Sequence, residues 1–174
     1  VSKCYLPTIA AMEKAYLAKG VKFLLVAPLA TESAAELKAV AAAAGIKAPC
    51  VPGPKGVMAA SFGAMSTTDV FVLDRKRTLV YRGAIDDQYG LGYSLEAPRK
   101  RYLADALNTV IAGGVPEIAA TEAPGCVLDL GNAKPGLLAE GVTFHNRISR
   151  IIQANCQVCH RVPGVVLFAF EAYE

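Results

Sequence analysis

The chain has 174 residues, of which 53% are hydrophobic and 19% charged, and its formal net charge at pH 7 is +3. These values favour one sizeable folded domain, or a small domain with a further segment, and they exclude a largely disordered chain. Acidic and basic residues are interspersed without a basic stripe, which argues against nucleic-acid binding. No apolar run approaches the ~20 residues that span a bilayer, so we expect no integral membrane segment here.

The first part of the chain alternates predicted helices and strands. Residues 4–19 have apolar side chains at helical spacing, and Gly20 is a typical helix stop. Residues 21–27 form a short apolar run that predicts a buried strand. Residues 31–45 have N-capping signals and an Ala-rich body, which predict a second helix, and residues 56–63 predict a short third one.

The next part predicts a hairpin and a further helix. Residues 47–53 form a brief extended piece broken by prolines. Residues 69–74 and 78–85 read as two strands joined by a polar turn at 75–77. Residues 97–114 form an amphipathic pattern with a proline in the first turn and glycines at the end. The order predicts an α/β fold in which a mixed sheet has helices on both faces.

The composition changes after this helix. Residues 115–140 are rich in Pro, Gly and Ala without a clean period, which predicts a linker or a tail that wraps the domain. From 141 a helical pattern restarts, with Thr143 as its N-cap and an apolar face at Phe144, Ile148, Ile151 and Ile152. We therefore divide the chain into residues 1–114, a linker at 115–140, and residues 141–174.

Charged and sulfur-containing residues suggest separate roles. The five cysteines are an odd number in a chain too large for a disulfide-stapled miniprotein, so each is interpreted separately. Cys50, beside the predicted sheet, reads as a core residue. Asp86 and Asp87 read as part of an ordinary solvated loop that a cation–π contact or a salt bridge locks to the next helix.

The stretch "NCQVCHR" at 155–161 has the C-x-x-C-H pattern of covalent haem c attachment. Cys156 and Cys159 are spaced to form thioethers with the two vinyl groups of the porphyrin. His160 then supplies an axial imidazole to the iron and is the candidate metal ligand. The apolar helix before the motif would shield the ring.

Two other interpretations of this motif stay open. A structural zinc site needs a second pair of ligands, and the spare residues His145 and Cys126 do not form one. A redox C-x-x-C pair usually precedes a helix, whereas this one follows a helix, where the dipole disfavours a thiolate. We interpret His145 as a surface or capping residue.

Residues 1–112 resemble the thioredoxin-like redoxin family, in its peroxiredoxin-related group. The resemblance is carried by "VSKCYLPTIAAMEKAYLAKGVKFLLVA", "TTDVFVLDRKRTLVYRGAIDDQYG" and "APRKRYLADAL". It implies a thioredoxin-like arrangement of the mixed sheet and thiol-based reduction of a small peroxide or a protein disulfide. It also implies that the family's nucleophilic cysteine, and the strand leading to it, lie ahead of Val1 and are missing here.

Three residues are the catalytic candidates in this part of the chain. Cys4 reads either as a resolving or auxiliary thiol near a helix N-terminus, or as a small buried apolar residue on the inner face of the helix. Thr68 aligns where many thioredoxin-like proteins have a cis-proline that faces the active cysteine. Cys126, behind a flexible Pro-Gly in the tail, reads either as a resolving cysteine or as plain tail composition.

Residues 141–174 resemble the start of a small c-type cytochrome-like module, on "VTFHNRISRIIQANCQVCHRVPG" and "FEAYE". The two resemblances together imply a periplasmic or otherwise extracytoplasmic bacterial-type protein with an electron-transfer partner. They predict thiol-based reduction joined to electron transfer at haem c, with the sixth haem ligand beyond Glu174. The alternative is a catalytically silent thioredoxin-like scaffold that docks a cytochrome module to a partner.

Overall fold

The structure, a computed structural model, describes residues 2–28, 34–52, 56–90, 92–130, 148, 151 and 152. These residues form a mixed α/β fold of several helices and short strand pairs. In chain order the elements are α1 (Leu6–Leu17), β1 (Leu25–Ala27), α2 (Ala34–Ala43), β2 (Cys50–Pro52), α3 (Val57–Phe62), β3 (Val70–Leu73), β4 (Leu79–Gly83), β5 (Tyr89–Gly90), β6 (Tyr93–Ser94) and α4 (Tyr102–Ile111). No helix in the described ranges is long and apolar enough to cross a membrane.

The first two helices follow the sequence pattern closely. A 3-10 turn, Ser2–Tyr5, precedes α1 and occupies the first residues of the predicted helix. After α1 the N–H of Gly20 donates to the carbonyl of Leu17, and Gly20 has φ +85°, a left-handed conformation that glycine adopts without strain. Gly45 ends α2 in the same way, with φ +80°.

The strands form three separate pairs. β1 pairs with β2 in parallel, with Val26 opposite Val51. β3 and β4 form the predicted antiparallel hairpin, with Phe71 opposite Arg82, and its turn contains Arg77 at φ +65°. A small antiparallel pair, β5 with β6, was not predicted from the sequence.

The expected single mixed sheet is not what the described residues form. The parallel pair and the hairpin are not hydrogen-bonded to each other. A groove of about 670 Å³ contacts both β1 and β3, and most of its lining is apolar. The two pairs are therefore separated by this groove, which we call the inter-strand groove.

The last helix begins later than predicted, at Tyr102 rather than residue 97. The reason is Asp87, whose Oδ1 accepts the backbone N–H of Arg99 and of Lys100, each at 2.8 Å. These bonds hold the proline-containing segment against the loop, where it cannot join the helix. The N–H of Leu103 donates to the carbonyl of Ile85, which satisfies one of the free donors of the first turn.

The buried apolar residues form two clusters on either side of α1. The larger one joins the 3-10 turn, α1, the hairpin and α4, with Tyr5, Tyr16, Val72, Tyr81, Ile85, Leu103, Ala106 and Leu107. The smaller one lies under α2 and consists of Ala41, Ile46 and Ala48. Ile9 and Phe23 pack against both clusters, so they connect them into one core.

Replacing Leu107 by alanine tests the larger cluster. Leu107 is 5% exposed, and its truncation leaves a cavity between α4 and the hairpin. We expect a loss of about 2–4 kcal/mol in the free energy of unfolding, measured by urea denaturation. The matched control is Ile111→Ala on the same helix, where 38% exposure predicts a much smaller loss. Equal losses for the two variants would contradict this description of the core.

Candidate thiol site at the hydroxyl loop

Three adjacent hydroxyl side chains lie between α3 and β3, at Ser66, Thr67 and Thr68. We call residues 66–69 the hydroxyl loop. The carboxylate of Asp69 accepts the backbone N–H of Met65 at 2.7 Å and that of Ser66 at 2.9 Å. The N–H of Asp69 donates in turn to the carbonyl of Ser66 at 3.2 Å. These bonds fix the backbone of the loop and leave its hydroxyl groups to bind other segments.

Residues 119–128, which we call the tail segment, run first along the free edge of β4. The N–H of Arg82 donates to the carbonyl of Ala119, and the N–H of Thr121 donates to the carbonyl of Arg82, each at 3.0 Å. The hydroxyl of Thr121 lies 2.8 Å from the hydroxyl of Tyr81 and accepts the N–H of Ala84 at 2.9 Å. The start of the predicted linker is therefore part of the folded unit.

The tail segment then crosses to the hydroxyl loop. The N–H of Thr67 donates to the carbonyl of Cys126 at 3.0 Å, and the N–H of Cys126 donates to the hydroxyl of Thr67 at 3.3 Å. The N–H of Leu128 donates to the carbonyl of Met65 at 2.9 Å. The backbone at Cys126 is therefore bonded to the hydroxyl loop through both its N–H and its C=O.

Gly125 allows this close contact. Its φ is +153°, and a Cβ at this position would lie 2.5 Å from the Ser66 hydroxyl and 2.9 Å from the Thr67 hydroxyl. Such separations are well inside van der Waals contact. A side chain at this position would therefore push the tail segment off the loop.

The 3-10 turn brings a second cysteine to the same loop. The hydroxyl of Ser2 donates to that of Thr67 at 3.1 Å, so Thr67 binds both the turn and the tail segment. Cys4 lies in this turn, and its side chain is exposed and in the free thiol form. The interpretation of Cys4 as a buried residue is wrong, because the turn directs the neighbouring Tyr5 into the core instead. Cys126 is likewise exposed and free.

Thr68 lies just before β3, the first strand of the hairpin. Its side chain is buried, and its hydroxyl donates to the carbonyl of Pro124 in the tail segment. The hydroxyl of Ser66 lies 3.4 Å from the hydroxyl of Thr68. Thr68 thus holds the tail segment in place, and its hydroxyl is engaged with backbone rather than presented to a thiol.

Cys50 lies apart from these groups. It begins β2, is partly buried, and packs against the smaller core cluster, in agreement with the core interpretation. Its thiol lies 3.7 Å from the carbonyl of Ala48, a weak hydrogen bond. Cys50 is therefore a suitable control cysteine for experiments on the two exposed thiols.

The sequence did not reveal the buried polar pair beside the 3-10 turn. The hydroxyl of Tyr5 donates to Oδ1 of Asp86 at 2.6 Å, and the same oxygen accepts the N–H of Gln88 at 3.0 Å. Asp86 is only 4% exposed, so its interpretation as a solvated loop residue is wrong. Burial, with the bond to Asp86, raises the pKa of Tyr5 far above its ordinary value. No sequence signal pairs these residues, because they are 81 positions apart.

Two more groups have shifted ionisation. Burial raises the pKa of Tyr81 to about 12, and the bond to the hydroxyl of Thr121 opposes this shift. The backbone N–H groups of Lys100 and Arg99 lower the pKa of Asp87, with Lys100 the larger effect. Asp87 is therefore an anion that locks the loop to the segment before α4 through backbone N–H groups, whereas the sequence predicted a salt bridge or a cation–π contact.

The predicted haem residues Cys156, Cys159 and His160 lie outside the described residues, as does His145. Among the residues that are described, no three His, Cys, Asp or Glu side chains cluster in a way that could hold a metal ion.

Replacing Gly125 by alanine tests the contact between tail segment and loop. We expect hydrogen exchange at the amides of Thr67 and Leu128 to accelerate about tenfold or more, because both amides bond across this contact. Gly92→Ala is the control, since Gly92 also has a positive φ, +77°, but a Cβ there would meet open space. Unchanged exchange in the Gly125→Ala chain would contradict the close approach.

Comparisons with known proteins show the fold alone. No family model matches the chain, and no curated protein matches it. A crystal structure of a hypothetical protein from Sinorhizobium meliloti 1021 is similar, with TM-score 0.59, 24% identity, and coverage of 71% of this chain and 68% of that one. A structure of an uncharacterized conserved protein from Geobacillus kaustophilus has TM-score 0.59 and 24% identity, covering 78% of this chain and 70% of that one. The chain thus shares its mixed α/β fold with bacterial proteins whose descriptions state no activity.

Proposed function

We propose that this chain is a thiol-dependent oxidoreductase of thioredoxin-like arrangement, joined to a segment that carries haem c. One observation supports the thiol chemistry best. Two exposed, free cysteines, Cys4 and Cys126, lie on separate segments that both bind the hydroxyl of Thr67. The two cysteines are 122 positions apart in sequence, yet both segments bond to this one hydroxyl.

Within this proposal Cys4 takes the part of the nucleophile, a role that the resemblance gives to a cysteine ahead of Val1. Cys4 lies in the 3-10 turn that leads directly into α1, and its thiol is exposed. A Cys4 thiolate would attack the O–O bond of a small peroxide, forming an S–O bond and releasing water or an alcohol. The sulfur is oxidised to sulfenic acid in this step.

Cys126 would complete the cycle as the resolving thiol. Its sulfur attacks the sulfenic sulfur, an S–S bond forms, and the hydroxyl group leaves with the thiol proton as water. A dithiol reductant then supplies two electrons and two protons, which restore both thiols. A protein disulfide in place of the peroxide would be attacked by the same thiolate through a mixed disulfide.

The remaining residues of the site would position these thiols. Thr67 ties the 3-10 turn to the tail segment, and Thr68 and Gly125 hold the tail segment against the loop. The buried bond between Tyr5 and Asp86 fixes the residue next to Cys4. In this proposal Cys4 and Cys126 are the two catalytic thiols, whereas Thr68, a catalytic candidate from the sequence, becomes a positioning residue.

The haem part of the proposal rests on the donor set of the sequence. Cys156 and Cys159 would hold the porphyrin edge, and His160 would supply the axial imidazole. Haem c supplies one-electron transfer when bound. Its covalent attachment implies a periplasmic or similar extracytoplasmic compartment and an electron-transfer partner protein.

Treatment with peroxide tests the thiol pair in the full chain with its haem attached. We expect sub-stoichiometric hydrogen peroxide to yield a Cys4–Cys126 disulfide, detected as one linked peptide by mass spectrometry. Cys126→Ser should leave the oxidised Cys4 as a sulfenic acid that is trapped by dimedone. Cys50→Ser is the matched control and should change the linked product little, because Cys50 packs against the core.

The opposite result would favour the scaffold interpretation. If neither peroxide nor a protein disulfide oxidises Cys4, and Cys126→Ser has no effect on reduction rates, the enzyme proposal fails. A chain that still binds haem would then fit a silent thioredoxin-like domain that docks a cytochrome module.

Expression with a haem-attachment system tests the second part. We expect a pyridine haemochrome spectrum of c type, and loss of covalent colour in Cys156→Ala and Cys159→Ala. Cys126→Ala is the control, since it lies outside the motif and should retain the colour. A colourless parent chain, expressed with a C-terminal extension that could enclose the ring, would rule out haem c.

A further inference from the structure

Helices α1 and α4 run side by side in the same direction. The hydroxyl of Tyr5, just before α1, donates to Asp86, and the N–H of Leu103, in the first turn of α4, donates to the carbonyl of the residue before Asp86. Near the other end of both helices, the hydroxyl of Tyr16 donates to Oδ1 of Asn108 at 3.1 Å. The last residues of α1 and of α4 therefore lie at one end of the molecule.

The turn of the β3–β4 hairpin lies at this same end. Strand β4 runs from the turn at 75–77 towards Ile85, where α4 begins, and α4 packs against both strands. We call residues 17–24, 73–78 and 110–115 together the basic end. The hydroxyl loop precedes β3, and Cys4 precedes α1, so the exposed thiols lie at the opposite end of the molecule.

The basic end differs in charge from the rest of the chain. It has one acidic residue, Asp74, whose Oδ1 accepts the N–H of Thr78 at 2.8 Å. The other 14 of the 15 acidic residues lie elsewhere, together with 13 of the 18 basic ones. The basic end thus has a formal charge of +4 and the remainder a charge of −1. Its five basic side chains are all exposed: Lys19, Lys22, Arg75, Lys76 and Arg77.

Exposed leucines lie among these basic residues. Leu17, Leu24 and Leu73 come from three different segments and are 45% to 56% exposed. Each of them is two positions away from a lysine or an arginine. Ile111, at the end of α4, adds a fourth exposed apolar side chain, whereas the aromatic residue of the basic end, Phe23, packs against the core.

This combination of side chains favours a lipid surface over a protein surface. The buried centres of protein interfaces are enriched in aromatic residues and depleted in lysine, which is the opposite of what the basic end presents. At an anionic bilayer, apolar tips enter the boundary between headgroups and acyl chains. Long cationic side chains beside them reach the phosphates.

We propose that the basic end binds the surface of an anionic lipid bilayer. The three leucines enter the headgroup boundary, and the five basic side chains bind lipid phosphates. Binding is peripheral and uses side chains at the ends of helices and turns. The hydroxyl loop then faces away from the bilayer, and α1, with 12 residues, keeps Cys4 about 18 Å from the headgroups.

Flotation with lipid vesicles tests the charge requirement in the full chain. We expect vesicles of equal parts phosphatidylglycerol and phosphatidylcholine to bind at least tenfold more tightly than phosphatidylcholine alone. Lys22→Glu combined with Lys76→Glu should weaken binding at least tenfold, since each basic residue near an anionic surface contributes about fivefold. Lys38→Glu combined with Lys100→Glu is the matched control. It changes the net charge equally at exposed positions outside the basic end and should retain most of the binding.

Tryptophan fluorescence tests which end contacts the lipid. The chain has no tryptophan, so a single one introduced by substitution is a specific probe. We expect the emission of Leu17→Trp to shift to shorter wavelength when the anionic vesicles are added. Val127→Trp is the control, because Val127 is 88% exposed beside the hydroxyl loop, and its emission should not shift.

The proposal is overturned if pure phosphatidylcholine binds as tightly as the anionic vesicles, or if both pairs of charge reversals weaken binding equally. A shift in the emission of Val127→Trp without one in Leu17→Trp would also overturn it. If soluble poly-glutamate binds the chain while the anionic vesicles do not, the basic end recognises an acidic polypeptide instead of a lipid surface.

Discussion

The contact of Gly125 with the hydroxyl loop determines where the exposed thiol of Cys126 lies. Because a glycine stands there, the tail segment can approach until its backbone bonds to Thr67 and Thr68. The hydroxyl of Thr67 is then shared with Ser2, so the 3-10 turn is drawn to the same loop. Without this contact Cys126 would have no fixed relation to Cys4, and the proposed chemistry would have no site.

Local patterns in the sequence predicted most of the helices and the hairpin. Gly20 ends a helix as expected, and the two strand-like runs joined by a polar turn at 75–77 gave the correct hairpin. The start of α4 was missed, because a carboxylate far ahead of it, Asp87, binds the backbone that would have formed the first turn. Such bonds are tertiary contacts, and local sequence patterns do not predict them.

The candidate site was predictable in its residues but not in its geometry. Cysteine chemistry singled out Cys4 and Cys126, yet their exposure and common loop depend on contacts 59 to 65 positions apart. The inter-strand groove also reaches this loop, a connection that the sequence could not suggest, since Ser2, Thr67 and Thr68 line it.

The attachment points of the tail segment also determine the order in which its hydrogen bonds would bear a pulling force. It bonds to Arg82 on β4 and then to Met65 and Thr67 beside β3, at two places on the hairpin unit. Tension from residues beyond 130 would load the bond between Leu128 and Met65 before it reached the sheet. The hydroxyl loop would therefore bear a pulling force on the tail segment before the sheet does.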